Sequence, residues 1–400
     1  MHKENSVRRN SFWLLCARLT AQGLAILFIA LIARRLGVES FGQFTLISTL
    51  VLIGNTFTNF GSDTYIIREV ARTKQLSPLV PHAVGLQLFL SIIWIIATLF
   101  LAPSPPLLLY SLSLFPLAIF SVITASLRAF ERMDLVWRLS LINGFIQLIS
   151  ATIASDLWTL CLYLLIGQFL STAFSYWIAR VSLRNLSLFP INNIFPLFKM
   201  IFPFAALTLL LVLSQRLGVL TVSALLGDSA TGIFSSVTRV VDGLKLGHYA
   251  ILGALLPVIS REDPESRQSF RKGFVLLVSL CSLIAVSLSV FSKFVIHVLY
   301  GEKFILATNL LGLLGWSLIP YTISSFISYD LIARGQENTL VKATATSLVV
   351  FLLLYLRLIS SYNLPGAIYA ALVGETVQAI VFVFFQRRGI APLSLPQAAK

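Results

Sequence analysis

The chain has 400 residues, of which 57% are hydrophobic and 12% are charged, and its net charge is +14. Soluble domains are roughly half apolar and a quarter charged, so this composition excludes a soluble protein and predicts a chain that lies in lipid. Twelve helices of about 21 residues would use about 250 residues, which leaves no room for a soluble domain. The positive charge does not indicate nucleic acid, because Lys and Arg lie in small clusters between apolar segments rather than on one patch.

Long apolar runs between breakers predict an all-α polytopic membrane protein rather than a β-barrel, whose strands are short and alternate every second residue. Twelve spans are predicted, at residues 11–33, 41–61, 79–101, 106–126, 139–156, 158–179, 200–224, 232–258, 273–292, 305–328, 343–360 and 364–386. Six fall in an N-terminal lobe, residues 1–190. The other six fall in a C-terminal lobe, residues 191–400, which ends in a short tail.

A turn between the first two spans recurs in the second half of the chain. Its skeleton is Leu-Gly, four residues, Gly, one residue, Phe, and the two copies are offset by 190 residues. The matched positions are Leu36, Gly37, Gly42 and Phe44 in the first copy and Leu226, Gly227, Gly232 and Phe234 in the second. An offset close to half the chain is typical of a membrane protein with two duplicated lobes. In each copy a glycine would let one span fold back into the next.

Basic residues are concentrated on one side of the predicted membrane. Alternate connections and the two tails hold 21 Lys and Arg residues, whereas the opposite connections hold only Arg34, Arg35, Lys293 and Lys303. The positive-inside rule therefore predicts cytoplasmic termini. Residues 63–75, after span 2, have apolar and charged residues at helical spacing, which predicts a helix along the inner membrane face. The opposite connections are very short, which disfavours an enzyme that works on sugars at the outer face.

Motifs for soluble chemistry are missing from the sequence. It has no Walker A loop, HExxH, GxSxG or Cys/His zinc spacing. We therefore expect no enzymatic activity, no metal site and no ATP-driven transport by this chain alone. Cys16, Cys161 and Cys281 lie in apolar segments without a CxxC, so we interpret them as packing thiols.

Several ionisable residues lie inside the predicted spans. The basic ones are Arg18, Arg216, Arg239, Lys245 and Arg357, and the deepest acids are Asp242 and Glu375, which leaves a net charge of +3 within the membrane. Each charge at the bilayer centre costs about 2.5 to 3.5 kcal/mol, so it should face a partner or a wet cavity. Arg18 and Arg357 are close enough to span ends to reach the headgroups as an alternative. Arg216 lies roughly 12 Å from the end of span 7, and we interpret it as cavity lining.

Span 8 carries Arg239, Asp242, Lys245 and His248 at intervals of three residues. At 100° per residue, Arg239 to Lys245 covers about 120° of one helix face, while His248 points nearly opposite Arg239. Two interpretations stay open. Asp242 could form an ion pair with Arg239 or Lys245 that makes the helix insertable, or the face could be a positive surface that receives an anion. Even with one ion pair, another cation of this helix stays unpaired.

Glu375, near the middle of span 12, is the candidate for coupling transport to an ion gradient. A buried carboxylate with a raised pKa can bind a proton or Na⁺. A hydrogen bond to a neighbouring helix would explain Glu375 equally well. H⁺ or Na⁺ is therefore the expected coupling ion, and no other cofactor is expected.

The repeated turn LGxxxxGxF, the stretch DTYIIREVAR after span 2, and the segments KMIFPF and QRLGVLTVSALLG of the second half carry a family resemblance. The chain resembles the Wzx-type O-antigen and exopolysaccharide flippases of the MOP superfamily, relatives of MATE exporters and of the lipid II flippase MurJ. The resemblance implies two six-helix lobes and alternating access. It also implies transfer of an undecaprenyl-diphosphate-linked oligosaccharide across the bacterial cytoplasmic membrane, with a polysaccharide polymerase and a chain-length regulator as partners.

On this interpretation the four cations Arg18, Arg216, Arg239 and Lys245 bind the anionic diphosphate while the lipid tail stays in the bilayer. The sequence departs from its relatives in span 1, which has Arg18 and no coupling carboxylate, and in having twelve predicted spans rather than the fourteen of MurJ-like flippases. Two alternatives are a MATE-like ion-coupled exporter of a small molecule and a membrane polymerase or ligase of the same pathway. The exporter would predict acid-lined lobes, which the net +3 interior argues against.

Overall fold

The computed structural model describes the backbone of residues 2–101, 104–183, 195–259 and 264–389, and every regular element in these ranges is helical. The α-helices are α1 (His2–Asn59), α2 (Ser62–Thr73), α3 (Leu79–Leu101), α4 (Pro105–Ser111), α5 (Leu114–Ala129), α6 (Met133–Ile153), α7 (Leu157–Ser182), α8 (Phe195–Ile259), α9 (Pro264–Tyr300), α10 (Ala307–Leu314), α11 (Leu318–Ala333) and α12 (Glu337–Gly389). Short 3₁₀ turns, Glu302–Phe304 and Gly315–Ser317, flank α10. The predicted all-α fold class is confirmed.

Three helices, α1, α8 and α12, are kinked at one residue and each contains two predicted spans. The kink residues are Gly37, Gly227 and Asn363, with φ values of 79°, 79° and 53°. Gly37 and Gly227 combine this φ with an extended ψ, −177° and −171°, a backbone conformation essentially confined to glycine. These two glycines are the ones that the repeat aligns, so the two halves of the chain turn in the same way. The other aligned pair, Gly42 and Gly232, lies in the helix segments that follow the kinks.

The phenylalanine of each repeat copy packs back onto the segment before its kink. Phe44 meets Phe28 edge-on, with ring centroids 5.9 Å apart. Phe234 lies against Gly218, where a Cβ would overlap its ring. Phe28 and Gly218 are also 190 residues apart, so the repeat extends to the packing around the turn.

Eight stretches of the described residues are long and apolar enough to cross a membrane. Two of them, Thr208–Lys245 and Asn338–Arg387, have 38 and 50 residues, which is enough for two spans each. Helix α1 is not among the eight stretches, so the predicted count of twelve spans is approximate. Helix α3 has the bounds predicted for span 3, whereas α9 extends beyond span 9 at both ends, because hydropathy detects only the apolar part of a helix.

Large apolar side chains are exposed on several helices. Phe100 on α3, Trp177 on α7 and Phe294 on α9 are 83%, 66% and 67% exposed. Soluble monomers rarely expose extended apolar surfaces, whereas lipid tails cover such a surface favourably. The exposed side chains therefore agree with a chain that lies in a membrane.

The amphipathic stretch after span 2 forms α2, whose 12 residues are too few to cross a bilayer. Ser62, Ile66 and Val70 recur at intervals of four and are buried on one face. Ile66 and Val70 join a hydrophobic core that includes Val84 of α3 and Val122 of α5. The apolar face of α2 is thus bound to neighbouring helices.

The chain divides into two compact units, Met1–Val212 and Leu213–Lys400. Unit 1 contains the core around α2, α3 and α5. Unit 2 contains a core built on Leu252, Leu277 and Phe326. The predicted lobe boundary, between residues 190 and 191, lies outside the described residues and stays a prediction.

Candidate functional site

Two helices supply most of the predicted site residues, and all of these residues lie in unit 2. Helix α8 supplies Arg216 before its kink at Gly227, and three more residues after it. Helix α12 supplies the fifth, so that the set is Arg216, Arg239, Asp242, Lys245 and Glu375. The kink of α8 and the packing of α12 determine which of these side chains are in contact.

The kink of α8 brings Arg216 and Arg239 into electrostatic contact. In a straight helix the 23 residues from Arg216 to Arg239 would span about 35 Å. In the folded chain the two guanidinium groups are close enough for their positive charges to repel each other. Tyr300 and Asp242 act on Arg239 in the opposite, favourable sense.

The two arginines have hydrogen-bond donors that the described residues leave unused. The Nε atoms of Arg216 and Arg239 are both buried, and neither has a hydrogen-bond partner among the described residues. A buried donor without a partner costs about 1 to 3 kcal/mol, and more when it belongs to a charged group. An anion with several acceptor oxygens would satisfy both donors and relieve the repulsion between the two charges. The arrangement is therefore suited to binding an anionic group.

Lys245 lies where α8, α11 and α12 meet. Its Nζ is 2.7 Å from Oε1 of Glu375 on α12 and 4.0 Å from Oδ1 of Asp242, one turn back on α8. The same ammonium lies over the ring of Tyr321 on α11, 4.4 Å from the ring centroid. Lys245 and Glu375 are mostly buried, with 18% and 13% of their side chains exposed, whereas Asp242 is 49% exposed. A cation–π contact of this kind adds to the ion pair in holding Lys245.

The five ionisable side chains of the cluster comprise three cations and two carboxylates, which leaves one net positive charge. The second carboxylate oxygen of Glu375, Oε2, is buried and has no hydrogen-bond partner among the described residues. Thus Glu375 neutralises Lys245, and the surplus positive charge lies toward Arg216 and Arg239. The cluster is polarised, with its excess charge on the arginine side.

The structure resolves part of what the sequence left open for span 8. The strongest ion pair joins Lys245 to Glu375, and the Asp242 carboxylate is a more distant and more exposed neighbour. The contact of Glu375 is therefore with a basic side chain on another helix. Tyr321 was not predicted, because one aromatic residue within an apolar span gives no distinguishing signal.

The remaining candidates are either not members of this cluster or outside the described side chains. The side chains of Arg18 and His248 are not among the described residues. Arg357 is exposed on α12. Cys161 and Cys281 are buried free thiols, and Cys16 is partly buried. In the described part of the chain no group of three or more His, Cys, Asp or Glu residues could hold a metal ion.

A family model described as "Polysaccharide biosynthesis protein" matches residues 7–263, more than half of the chain. This chain belongs to that family of polysaccharide biosynthesis proteins. The resemblance found in its sequence is thereby confirmed.

Two kinds of relatives are similar to this family member. The protein named probable low-salt glycan biosynthesis flippase Agl15, from Haloferax volcanii, is 22% identical over 400 residues, which cover 94% of this chain and 83% of Agl15. An inward-facing MATE transporter of the MOP superfamily has a TM-score of 0.74 at 14% identity, covering 94% of this chain and 98% of the transporter. The lipid II flippase MurJ, in an inward closed conformation, has a TM-score of 0.71 at 16% identity, covering 93% of this chain and 86% of MurJ. The fold is thus like that of MATE transporters and of MurJ, and these relatives are named as flippases or transporters rather than enzymes.

Proposed function

We propose that this membrane protein is a flippase that moves an undecaprenyl-diphosphate-linked oligosaccharide, an O-antigen or exopolysaccharide repeat unit, across the bacterial cytoplasmic membrane. The observation that carries the proposal is the pair of arginines, Arg216 and Arg239, whose positive charges repel each other and whose buried Nε donors have no hydrogen-bond partner among the described residues. The relatives support it, since Agl15 is named as a glycan biosynthesis flippase and MurJ as a lipid II flippase.

A diphosphate matches the chemistry of the arginine pair. A guanidinium group forms parallel, charge-assisted hydrogen bonds with phosphate oxygens, which are roughly twice as strong as neutral ones. Two such groups offer donors to both phosphates of a diphosphate. Binding would therefore satisfy the Nε atoms of Arg216 and Arg239 and cancel the repulsion between them.

The carboxylates of the cluster would set how strongly the anion is held. Glu375 keeps Lys245 paired, so this third cation would act on a bound diphosphate at reduced strength. A site with fully unpaired cations would hold the substrate too tightly to release it on the other side. The net single positive charge is a compromise between capture and release.

Other parts of the mechanism follow from the family and from the charge pattern. Transport would proceed by alternating access, with the sugars in a wet path and the lipid tail in the bilayer. The distribution of basic residues favours cytoplasmic termini. Arg18 would also bind the anionic substrate, H⁺ or Na⁺ would drive the cycle, and a polysaccharide polymerase and a chain-length regulator would act on the flipped product.

The charge of the cluster argues against the main alternative. A MATE-like exporter of cationic small molecules would need an excess of acidic groups, whereas this cluster has more cations than carboxylates. A polymerase or ligase of the same pathway has no support from the relatives, which are named as flippases and transporters.

The deciding experiment measures the sidedness of the lipid-linked repeat unit in cells that lack the chromosomal copy and carry a plasmid-borne variant. Without the protein, surface polysaccharide should disappear and the repeat unit should accumulate on the cytoplasmic face. Arg216→Ala should lower the flipping rate by roughly 10- to 100-fold, the equivalent of one lost hydrogen bond to a charged group. Arg216→Lys should lower the flipping rate less, because the positive charge stays and only the paired hydrogen-bonding geometry of the guanidinium group is removed.

The matched control is Arg357→Ala, which removes an exposed arginine of the same unit and should leave flipping unchanged. Membrane abundance of each variant is measured in parallel. Normal flipping in Arg216→Ala would refute the role of the arginine pair. An unpolymerised repeat unit on the outer face of the deletion strain would show that the protein acts after flipping.

A further inference from the structure

A second polar cluster lies in unit 1, at the point where α1 ends and α2 begins. It contains one acidic side chain, Asp63, beside the polar side chains of Asn59 and Ser121. Further hydrogen bonds link Ser121 to Gln87 and Gln87 to Ser62. These residues come from α1, α2, α3 and α5. Gln87 and Ser62 are almost completely buried, with 0% and 1% exposed.

Hydrogen bonds fix the neutral members of this cluster in place. The side-chain amide of Gln87 donates to Ser62 Oγ at 2.6 Å, and Ser121 Oγ donates to Gln87 Oε1 at 3.0 Å. The amide oxygen of Asn59 accepts the backbone N–H of Asp63 at 3.4 Å. The backbone N–H of Asp63 at the start of α2 is therefore bonded to Asn59 and does not engage the carboxylate of Asp63.

The carboxylate of Asp63 is compensated only in part, by hydrogen bonds from the side chains of Asn59 and Ser121. Its Oδ1 is buried and has no hydrogen-bond partner among the described residues. Arg128 of α5 attracts it from a distance but forms no ion pair with it. A buried carboxylate normally requires a cation, a proton or a metal ion. The neighbours here supply hydroxyl and amide oxygens, which are the ligands that small hard cations prefer.

Glu375 differs from Asp63 in having a counter-ion. Glu375 already has a cation, Lys245, at 2.7 Å. Asp63 has no counter-ion at that distance among the described residues. Of the two acids, Asp63 is the one whose charge is available to a transported or regulatory ion.

We propose that Asp63, with Asn59 and Ser121, forms a binding site for a small monovalent cation, H⁺ or Na⁺, in unit 1. The cation completes the coordination of Oδ1 and neutralises the carboxylate. Because the cluster joins α2 to α1, α3 and α5, occupation of the site stabilises the packing of α2. The site is independent of the arginine pair and of the cargo that the pair binds.

The electrostatics of Asp63 set the direction of the pH effect. Burial raises its pKa above the usual value, although Asn59, Arg128 and Ser121 act to lower it. A group with a raised pKa in the folded state contributes stability that is complete below its unfolded pKa, about 3.9 for Asp. That stability is lost as the pH rises through the raised pKa, unless Na⁺ takes the place of the proton.

The test uses the purified full-length protein in detergent, without cargo. Thermal unfolding is followed by tryptophan fluorescence from about pH 4, near the unfolded pKa of Asp, to about pH 8, in NaCl or in choline chloride at equal ionic strength. For Na⁺ at 100 times its Kd, the midpoint should rise by about 3 °C. Asp63→Asn should abolish the dependence on the cation, and the control Glu69→Gln, on the exposed side of α2, should retain it.

The outcomes distinguish Na⁺ from H⁺ as the bound cation, and both from failure of the proposal. Loss of a Na⁺-dependent shift in Asp63→Asn identifies Na⁺ as the occupant. Loss of a pH-dependent shift alone identifies the proton. A wild-type midpoint that responds to neither, or an Asp63→Asn variant that responds as the wild type does, overturns the proposal.

A second variant covers the case in which Asp63→Asn does not accumulate. Ser121→Ala keeps the acid and removes one ligand, so it should weaken the apparent Na⁺ affinity, or shift the pH midpoint, by roughly threefold to tenfold. An unchanged response in Ser121→Ala would refute the cluster as a site. None of these results depends on flipping, so they are separate from the tests of the arginine pair.

Discussion

The ion pair between Lys245 and Glu375 should make folding depend on both side chains together. Nζ and Oε1 are 2.7 Å apart, and the side chains are 18% and 13% exposed. At an effective dielectric constant of about 20, two unit charges at this distance attract each other by about 6 kcal/mol before desolvation is subtracted. Lys245→Met should therefore lower the free energy of unfolding by about 3 to 5 kcal/mol, because it leaves the Glu375 carboxylate buried without its counter-ion.

The double variant Lys245→Met, Glu375→Gln should recover most of this loss, because neither charge is then stranded. The assay is reversible unfolding of the purified protein in mixed micelles, followed by tryptophan fluorescence. The coupling free energy from the double-mutant cycle should be about 2 kcal/mol or more. The same cycle on Arg72 and Glu69, an exposed ion pair on α2, should give a coupling near zero.

Additive effects of the two single substitutions on stability would contradict an ion pair between Lys245 and Glu375. If the two single variants lose stability independently, with a coupling below about 0.5 kcal/mol, the side chains do not form an ion pair in the membrane protein. The same conclusion follows if Lys245→Met is as stable as the wild type. Glu375 would then return to being a candidate acid for the coupling ion.

Two further substitutions test the turn and the end of unit 2. Gly227→Ala should lower the free energy of unfolding by about 1 to 3 kcal/mol, because alanine is strained at a φ of 79°. The control is Gly23→Ala, at a glycine that is also in open space but has no positive φ. It should be neutral or slightly stabilising in the same unfolding assay. Gln386→Leu removes a 2.7 Å hydrogen bond to the buried carboxylate of Asp330 and should lower the free energy of unfolding by about 1 to 3 kcal/mol; a wild-type value would show that the bond contributes nothing.

Local patterns in the sequence were enough to predict the elements of the fold. The span at residues 79–101 has the bounds of α3, because a long apolar run between polar ends is read directly from composition. The stretch after span 2 forms the amphipathic helix α2 for the same reason, since its apolar residues recur at helical spacing. The aligned glycines Gly37 and Gly227 have the same backbone conformation, which follows from the freedom of glycine at positive φ.

The candidate site was predicted as a set of residues, but its pairing was not. The sequence singled out Arg216, Arg239 and Lys245 because cations are rare and unfavourable within spans. It could not show that the folded α8 brings the first two near enough for their charges to interact. It also could not show that Lys245 meets Glu375, 130 residues away on another helix, since helical spacing relates only neighbours on one helix.

Asp63 could not be recognised as a site residue from the sequence alone. In the sequence it is one polar residue at the start of a charged surface helix, and nothing separates it from a solvated side chain. Only the packing of α3 and α5 against α2 buries its Oδ1 and brings Ser121 to its carboxylate.

The sequence by itself thus determined the membrane class, the helices, the repeated turn and the identity of the costly charges, because each of these depends on composition or on spacing along one segment. The tertiary structure alone decided which charges are paired, which arginine donors are left open and which carboxylate is buried without a counter-ion. The physical reason is that electrostatic compensation depends on distances of a few ångströms between helices that are far apart in the chain.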